Sequence, residues 1–211
     1  MNLLSLKKKL FKFDILVFDL DDTIYPQKNY DTPALLSVSR FIQKKTNLKI
    51  LDIFNTLRKL KKIRRGKPPN FLFNIFFKNI KIKYKNYIID KCVRLFQSYK
   101  CKELKKSKSL KFIIKNLYKT KILFLVTNGN VKRQNNKIKY LGIRKYFKKI
   151  FILDGIKKET KPSTNNVQSL VKFISIHKDF KSAYIGDNLI SDKKFAKNLK
   201  ISFIHFEFSL N

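Results

Sequence analysis

The sequence predicts an α/β protein with a Rossmann-like parallel sheet and an inserted all-helical segment. Short continuous apolar runs, the first of them Ile15–Phe18, are typical of strands that are buried on both faces. Helix-like stretches separate the later runs, and this alternation favours parallel strands joined by right-handed crossovers. A long helical interval between the first and second runs breaks the alternation, which indicates an insertion.

The core elements follow in chain order. After Ile15–Phe18, apolar runs predict further strands over residues 122–126, 150–153, 183–185 and 201–206. Amphipathic patterns between them predict helices over residues 131–141, 165–176 and 191–199. Each strand is thus expected to end at the same edge of one sheet.

The sequence pattern predicts helices throughout the interval after the first strand. Thr32 and Pro33 are typical of an N-cap and a first helical residue, and further helices are predicted over residues 48–63, 71–80 and 84–101. The aromatic-rich stretch 71–77 is either the core of a helical bundle or a cofactor or lipid surface. The predicted domains are a basic leader (1–13), an α/β core (14–24 and 109–211) and a helical insert (25–108).

The charge of the chain is unusual. Its 49 Lys and Arg residues face 14 Asp and Glu residues, which gives a formal net charge of +35. Such a charge attracts nucleic acid or an anionic surface nonspecifically. The basic residues are spread from Lys7 to Lys200 instead of forming one arm, and Lys, Asn, Ile and Phe are enriched together. A compositional origin of the charge is therefore the favoured interpretation.

The cysteines and the lengths of the apolar runs indicate in which cellular compartment the protein is expected. Cys92 and Cys101 fall in one predicted helix, which separates them by roughly 13 Å and excludes a disulfide. This fits a reducing cytoplasm. No apolar run approaches the roughly 18 residues that span a bilayer, and the lysines of the leader do not fit a secretory signal, so neither is expected.

The residues most informative about chemistry follow the first strand directly. Asp19, Asp21 and Asp22 lie within four positions, with Thr23 next, in a chain that has few acids. Ligands of open parallel sheets bind beyond the carboxyl ends of the strands. Two nearby carboxylates repel, so Asp19 and Asp21 need a proton or a hard cation such as Mg²⁺ between them. The alternative is an acidic turn or helix cap.

The other predicted strand ends carry polar residues as well. Thr127 and Asn128 precede a glycine and suit phosphate oxygens, although the same tripeptide is also a common turn. Lys161 could neutralise a phosphate. Asp187 lies where a metal ligand is needed, and Asp192 is either a helix cap or a partner of Lys161 and of a metal-bound water.

In order and spacing, these segments resemble the haloacid dehalogenase superfamily, and the resemblance covers about residues 14 to 207. Its motifs are a strand with Asp-x-Asp-x-Thr, a later Ser or Thr, a distant Lys and a Gly-Asp element with a second Asp. The chain is most similar to the branch with a helical cap, which includes small-molecule phosphatases and nucleotidases; Gln134 and Lys137 also match there. Ser191 departs from the Asn frequent in that branch.

The resemblance implies a set of roles. Asp19 would attack phosphorus, and Asp21 would act as acid and then base. Mg²⁺ would be held by Asp19, the Asp21 carbonyl and Asp187. Stabilisation of the phosphoryl oxygens would come from Thr127, Asn128 and Lys161, with support from Thr23 and Asp192. Dehalogenases of the family lack an acid at the position of Asp21.

The expected function is hydrolysis of a small phosphorylated metabolite, either a nucleotide or a sugar phosphate. The cap would choose the substrate, and Arg64, Arg65 and Lys67 are candidates for contact with a second anionic group. Two alternatives stay open: a basic nucleic-acid-binding protein with a vestigial site, and a phosphatase acting on nucleic-acid ends.

Overall fold

The computed structural model describes residues 3–63, 69–81, 86–155 and 160–208. It contains a sheet in which every pair of neighbouring strands is parallel. The strand order is β3-β2-β1-β4-β5. Its strands are β1 (Ile15–Phe18), β2 (Ile122–Asn128), β3 (Lys149–Leu153), β4 (Ser182–Gly186) and β5 (Ser202–His205). The predicted α/β fold with a parallel sheet and a helical insertion is confirmed.

The first strand lies at the centre of the sheet. Ile15 is in register with Ile122 of β2 on one side and with Ser182 of β4 on the other. All residues of β1 are buried, because β1 has a strand on each side and helices over both faces. This placement explains its uninterrupted apolar sequence and places Asp19 at the middle of the carboxyl edge.

The helices lie over both faces of the sheet. Ile15 and Val17 contact one apolar cluster, to which α8 and α9 contribute Leu170 and Phe195. Leu16, on the alternate face, belongs to a second cluster that includes residues of the remaining helices. These helices are α1 (Leu3–Leu10), α2 (Lys28–Gln43), α3 (Ile50–Ile63), α4 (Pro69–Asn79), α5 (Asn86–Gln97), α6 (Lys111–Leu117), α7 (Val131–Leu141), α8 (Gln168–Ile176) and α9 (Ser191–Asn198).

The inserted helices α2 to α5 bury aromatic side chains against one another. The rings of Tyr30 and Phe73 both meet Phe96 edge-on, with centroids 6.2 and 6.3 Å away. Phe73 and Phe76 are buried, whereas Phe71 is 49% exposed. The aromatic stretch is therefore mainly bundle core, as one of the two interpretations of the sequence expected.

The start of α2 differs from the sequence prediction. The helix begins at Lys28, so Thr32 is not its N-cap and Pro33 lies inside it. Proline lacks the N–H that would bond the carbonyl four residues earlier. That carbonyl, of Asn29, accepts instead from the Cys101 thiol at 3.3 Å. Burial of Tyr30, whose hydroxyl donates to the Phe96 carbonyl at 2.9 Å, favours this earlier start.

Two further expectations change with the structure. Cys101 lies beyond the end of α5, so it does not share a helix with Cys92; both thiols are free and buried. The predicted basic leader contains α1, whose Leu6 and Leu10 are fully buried in the larger apolar cluster. No helix in the described part of the chain is long and apolar enough to cross a membrane.

Candidate active site

Asp19 and Lys161 form the centre of the candidate site. Asp19 follows β1 directly, and its backbone N–H donates to the Ile185 carbonyl of the neighbouring strand. The Lys161 ammonium donates to Asp19 Oδ1 at 2.6 Å, to Asp192 Oδ1 at 2.7 Å and to the Tyr184 hydroxyl at 2.8 Å. The ammonium is thus fully engaged by two carboxylates and a phenol in a buried position.

Asn128 helps to position Lys161. Its side-chain oxygen accepts from the backbone N–H of Lys161 at 3.0 Å. Asn128 is the last residue of β2, so this bond connects the end of β2 to a segment 33 residues later in the chain. The sequence assigned Asn128 to phosphate binding; the structure adds this positioning contact.

Three carboxylates converge beside Lys161. Oxygens of Asp19, Asp187 and Asp192 lie within 4.8 Å of one another. The carboxylate of Asp21 does not join this group, because it is bound by residues of α7. An all-oxygen donor set of this kind suits Mg²⁺, which prefers hard carboxylate ligands. The residues present therefore fit the expected cation.

Gly186 makes room for this arrangement. A Cβ at Gly186 would overlap the side chain of Asp192. The backbone N–H of Asn188 also donates to Asp192 Oδ2 at 3.1 Å. The close approach of Asp192 to the end of β4 thus explains why the Gly-Asp element of the motif has a glycine at position 186.

Burial and charge act against each other on the two central groups. Burial raises the pKa of Asp19 to about 8, although the Lys161 ammonium counteracts part of the rise; the nearby Asp192 and Asp21 carboxylates add to it. Burial alone would lower the pKa of Lys161, but its two carboxylate partners more than offset this and raise it. A divalent cation among these oxygens would relieve the repulsion between the carboxylates.

Asp21 lies in a separate hydrogen-bond network. The Lys137 ammonium is 2.8 Å from both carboxylate oxygens and is completely buried. The Tyr25 hydroxyl donates to Oδ1 at 2.7 Å, and the Gln134 amide donates to Oδ2 at 3.0 Å. Four hydrogen bonds therefore fix the predicted acid in one orientation.

These contacts determine the charge of Asp21. Burial would raise its pKa, but the Lys137 ammonium and the hydrogen bonds from Lys137, Tyr25 and Gln134 more than offset the rise and lower the pKa well below its usual range. Burial lowers the pKa of Lys137, and Asp21 counteracts part of that shift. The contact of the ammonium with both oxygens makes this an ionised pair.

Gln134 also connects Asp21 to the predicted phosphate-binding residues. Its amide nitrogen donates to Thr127 Oγ1 at 2.7 Å and lies 3.2 Å from the Asn128 carbonyl. The next residue after Asn128 is Gly129, whose φ of 144° is a backbone conformation that residues other than glycine rarely adopt. Thr127 and Asp21 thus share one donor on α7.

The remaining predicted residues are less connected. Thr23 is buried, and its hydroxyl has no hydrogen-bond partner among the described residues, so its supporting role stays a prediction. Arg64, Arg65 and Lys67 lie outside the described residues.

Sequence reasoning matched Gln134 and Lys137 to a family pattern but gave them no role. A signal was present in the helical spacing. Gln134 and Lys137 share the buried face of α7 with Ile138 and Leu141, at intervals of three and four residues. Long polar side chains on an apolar face need buried partners, and here those partners are Asp21 and Thr127.

The fold and this site together define a class of α/β protein in which carboxylates and a lysine meet at the carboxyl edge of a parallel sheet. The model of the haloacid dehalogenase-like hydrolase family matches residues 16–206, and the chain belongs to this family. A search of curated proteins gives no match.

Several solved structures share this fold. One similar structure is a candidate HAD-hydrolase, YfnB from Bacillus subtilis, bound to magnesium: TM-score 0.67 and 21% identity, covering 91% of this chain and 87% of that one. A candidate phosphatase from Clostridium difficile has a TM-score of 0.63 and 19% identity, covering 95% and 87%. A 2-haloacid dehalogenase from Pseudomonas syringae has a TM-score of 0.57 and 16% identity, covering 92% and 86%.

Proposed function

We propose that this protein is a magnesium-dependent phosphatase that hydrolyses a small phosphomonoester, a nucleotide or a sugar phosphate, through a phosphorylated Asp19. The fold alone does not choose this reaction, because both a dehalogenase and a candidate phosphatase share it. The observation that carries the proposal is Asp21. A carboxyl group two residues after the nucleophile serves a leaving group that needs a proton, whereas a halide needs none.

Asp19 would form a bond to phosphorus as the bond from phosphorus to the leaving oxygen breaks. Lys161, which lies 2.6 Å from Asp19, and Thr127 would stabilise the equatorial phosphoryl oxygens. Mg²⁺ held by Asp19, Asp187 and the Asp21 carbonyl would neutralise charge on the transferring group. Asp192 supports this site by holding Lys161.

Asp21 would give a proton to the leaving oxygen and later take one from the water that hydrolyses the intermediate. Its contact with the Lys137 ammonium opposes protonation. The proposed role therefore requires the carboxyl group to turn from Lys137 towards the substrate and take up a proton. Thr23 would support the loop that allows this turn.

We also propose that residues 25–108 act as a cap on a core of residues 14–24 and 109–211, and that Arg64, Arg65 and Lys67 contribute to the substrate specificity of this cap. A cap that covers the edge of the sheet would exclude water from the phosphorylated aspartate. The two buried free thiols support a cytoplasmic location.

The proposal is tested by phosphate release from p-nitrophenyl phosphate and from a panel of nucleotides and sugar phosphates, with Mg²⁺ or with EDTA. The wild type is compared with Asp19→Asn, which keeps the size of the side chain but removes the nucleophile. We expect activity that requires Mg²⁺ and is lost in the variant. A folded wild-type protein without activity on the whole panel would contradict the proposal.

The net charge of +35 is the observation behind two other candidate functions, a nucleic-acid-binding protein and a phosphatase acting on nucleic-acid ends. Salt-sensitive RNA binding that persists in Asp19→Asn, without activity on the panel, would support the binding function. Phosphate release from 5′- or 3′-phosphorylated oligonucleotides but not from mononucleotides would support the end phosphatase.

A further inference from the structure

Arg133 is a partly buried cation beside the candidate site. It lies in the first turn of α7, where its backbone N–H donates to the Asn130 side chain at 3.1 Å. The guanidinium carbon lies 5.5 Å from the ring centroid of Phe96 on α5. Its Nε is buried and has no hydrogen-bond partner among the residues that the structure describes. A buried guanidinium donor without an acceptor is costly, so a ligand that supplies one is favoured.

The position of this guanidinium relates it to the reaction. A Cβ placed on Gly129, the residue after Thr127 and Asn128, would lie only 3.1 Å from Arg133 Nη2. The next residue, Gln134, contacts both Thr127 and Asp21. The guanidinium therefore lies between the loop that follows β2 and the inserted helix α5.

The nearby carboxylates are already engaged by other cations. Asp21 is bound through both oxygens by Lys137. Asp31 Oδ2 pairs with the Lys61 ammonium at 2.6 Å, whereas its Oδ1 is buried and accepts no hydrogen bond from the described residues. Within the described residues no carboxylate forms an ion pair with Arg133. The alternative is that Arg133 only joins α7 to α5 through its cation–π contact with Phe96. That contact does not supply a hydrogen-bond acceptor for Nε.

We propose that Arg133 binds a second anionic group of the substrate, at the end away from the phosphate that is removed. This inference rests on the proposed phosphatase function and narrows its substrate class to small phosphomonoesters with a carboxylate or a second phosphate. A guanidinium suits both groups, because its fork of N–H donors matches two oxygens of either.

The test compares substrates that have the same number of carbon atoms but differ in the number of anionic groups. Single-anion substrates are ethyl phosphate and propyl phosphate; their two-anion counterparts are phosphoglycolate and propane-1,3-diol bisphosphate. Arg133→Met removes the charge but keeps a long side chain, and Arg133→Lys keeps the charge. Lys132→Met, which removes an exposed charge from the neighbouring position, is the control.

We expect the wild type to prefer one or both two-anion substrates. Arg133→Met should raise their KM by roughly 10- to 100-fold, the effect of losing one charged hydrogen-bonded contact, with kcat little changed. The single-anion substrates should change by less than about twofold, since each lacks the group that Arg133 binds. The preferred counterpart identifies the second group as carboxylate or phosphate. An equal loss on both kinds of substrate would assign Arg133 to the transferred phosphoryl group or to helix packing, and either would overturn the proposal.

Binding to the Asp19→Asn variant, measured by calorimetry, separates this proposal from the phosphatase function, because a binding measurement does not require that the compound is hydrolysed. Weaker binding of phosphoglycolate or the bisphosphate to Asp19→Asn/Arg133→Met than to Asp19→Asn would support the anion site even if no substrate is hydrolysed. Equal binding of both compounds to the two variants, with unchanged urea midpoints, would overturn the anion site whether or not the wild type is a phosphatase.

Discussion

Replacing Lys137 by Met should destabilise the fold through Asp21. The substitution keeps the unbranched stem but removes an ammonium that lies 2.8 Å from both oxygens of Asp21. Removing one partner of a buried ion pair costs about 3–5 kcal/mol. The Asp21 side chain is 16% exposed and keeps its bonds from Tyr25 and Gln134. We therefore expect a loss of about 2–4 kcal/mol in the free energy of unfolding, or roughly 6–12 °C in Tm for about 3 kcal/mol.

The loss should depend on pH with a definite sign. In the wild type, the lowered pKa of Asp21 contributes stability above its unfolded pKa of about 4, and this is lost only as the pH falls through the lower folded pKa. Without Lys137, burial should raise the folded pKa above the unfolded value, so stability decreases as the pH rises from about 4. The difference between variant and wild type should be larger at pH 8 than at pH 5.

Urea unfolding at both pH values measures this effect. The double variant Lys137→Met/Asp21→Asn is the matched control: it removes the carboxylate charge that Lys137 compensates while keeping an acceptor for Tyr25, and it should recover at least half of the loss. A Lys137→Met protein within about 0.5 kcal/mol of the wild type at pH 8, or a double variant no more stable than the single one, would refute the reasoning.

Three further outcomes follow. Mg²⁺ binding should release protons near pH 7, because burial raises the pKa of Asp19 to about 8; binding heats that are identical in buffers of different ionisation enthalpy would contradict this. Gly186→Ala should cost about 1–3 kcal/mol in urea unfolding, because its methyl group meets a site carboxylate, whereas Gly155→Ala, with room for a methyl, should cost less. Leu10→Ala should lower the free energy of unfolding by about 2–4 kcal/mol in the same assay, because Leu10 is fully buried. Leu4→Ala should have little effect, because Leu4 is 65% exposed, and equal effects of the two substitutions would argue against packing of α1 on the core.

The sequence predicted the elements whose pattern is set by burial on two faces. The apolar run of β1 is bounded as expected, and the polar residues after the strands meet at one edge, because parallel register leaves no other place for them. The contact of Lys161 with Asp192, 31 residues away, corresponds to one of the two interpretations that the sequence left open for Asp192, and Lys161 also contacts Asp19, 142 residues away.

Features set by tertiary contacts were missed. The sequence signal at Thr32 and Pro33 is local, and the burial of Tyr30 overrides it. Lys137 was matched to a pattern without a role, because in a chain with 49 basic residues one further lysine carries little information. Only its position on the buried face of α7 separates it from the solvated lysines.

Helix α7 connects the position of Asp21 to the packing of the inserted helices. The Lys137 ammonium that holds Asp21 also lies 5.1 Å from the ring centroid of Tyr30 on α2. One helical turn earlier, Arg133 stacks on Phe96 of α5, whose ring meets Tyr30 edge-on. A shift of α2 or α5 relative to the sheet would therefore change the cation environment of Asp21 directly. Because the proposed acid step needs Asp21 to leave Lys137, packing at this junction affects the same carboxyl group that the chemistry uses.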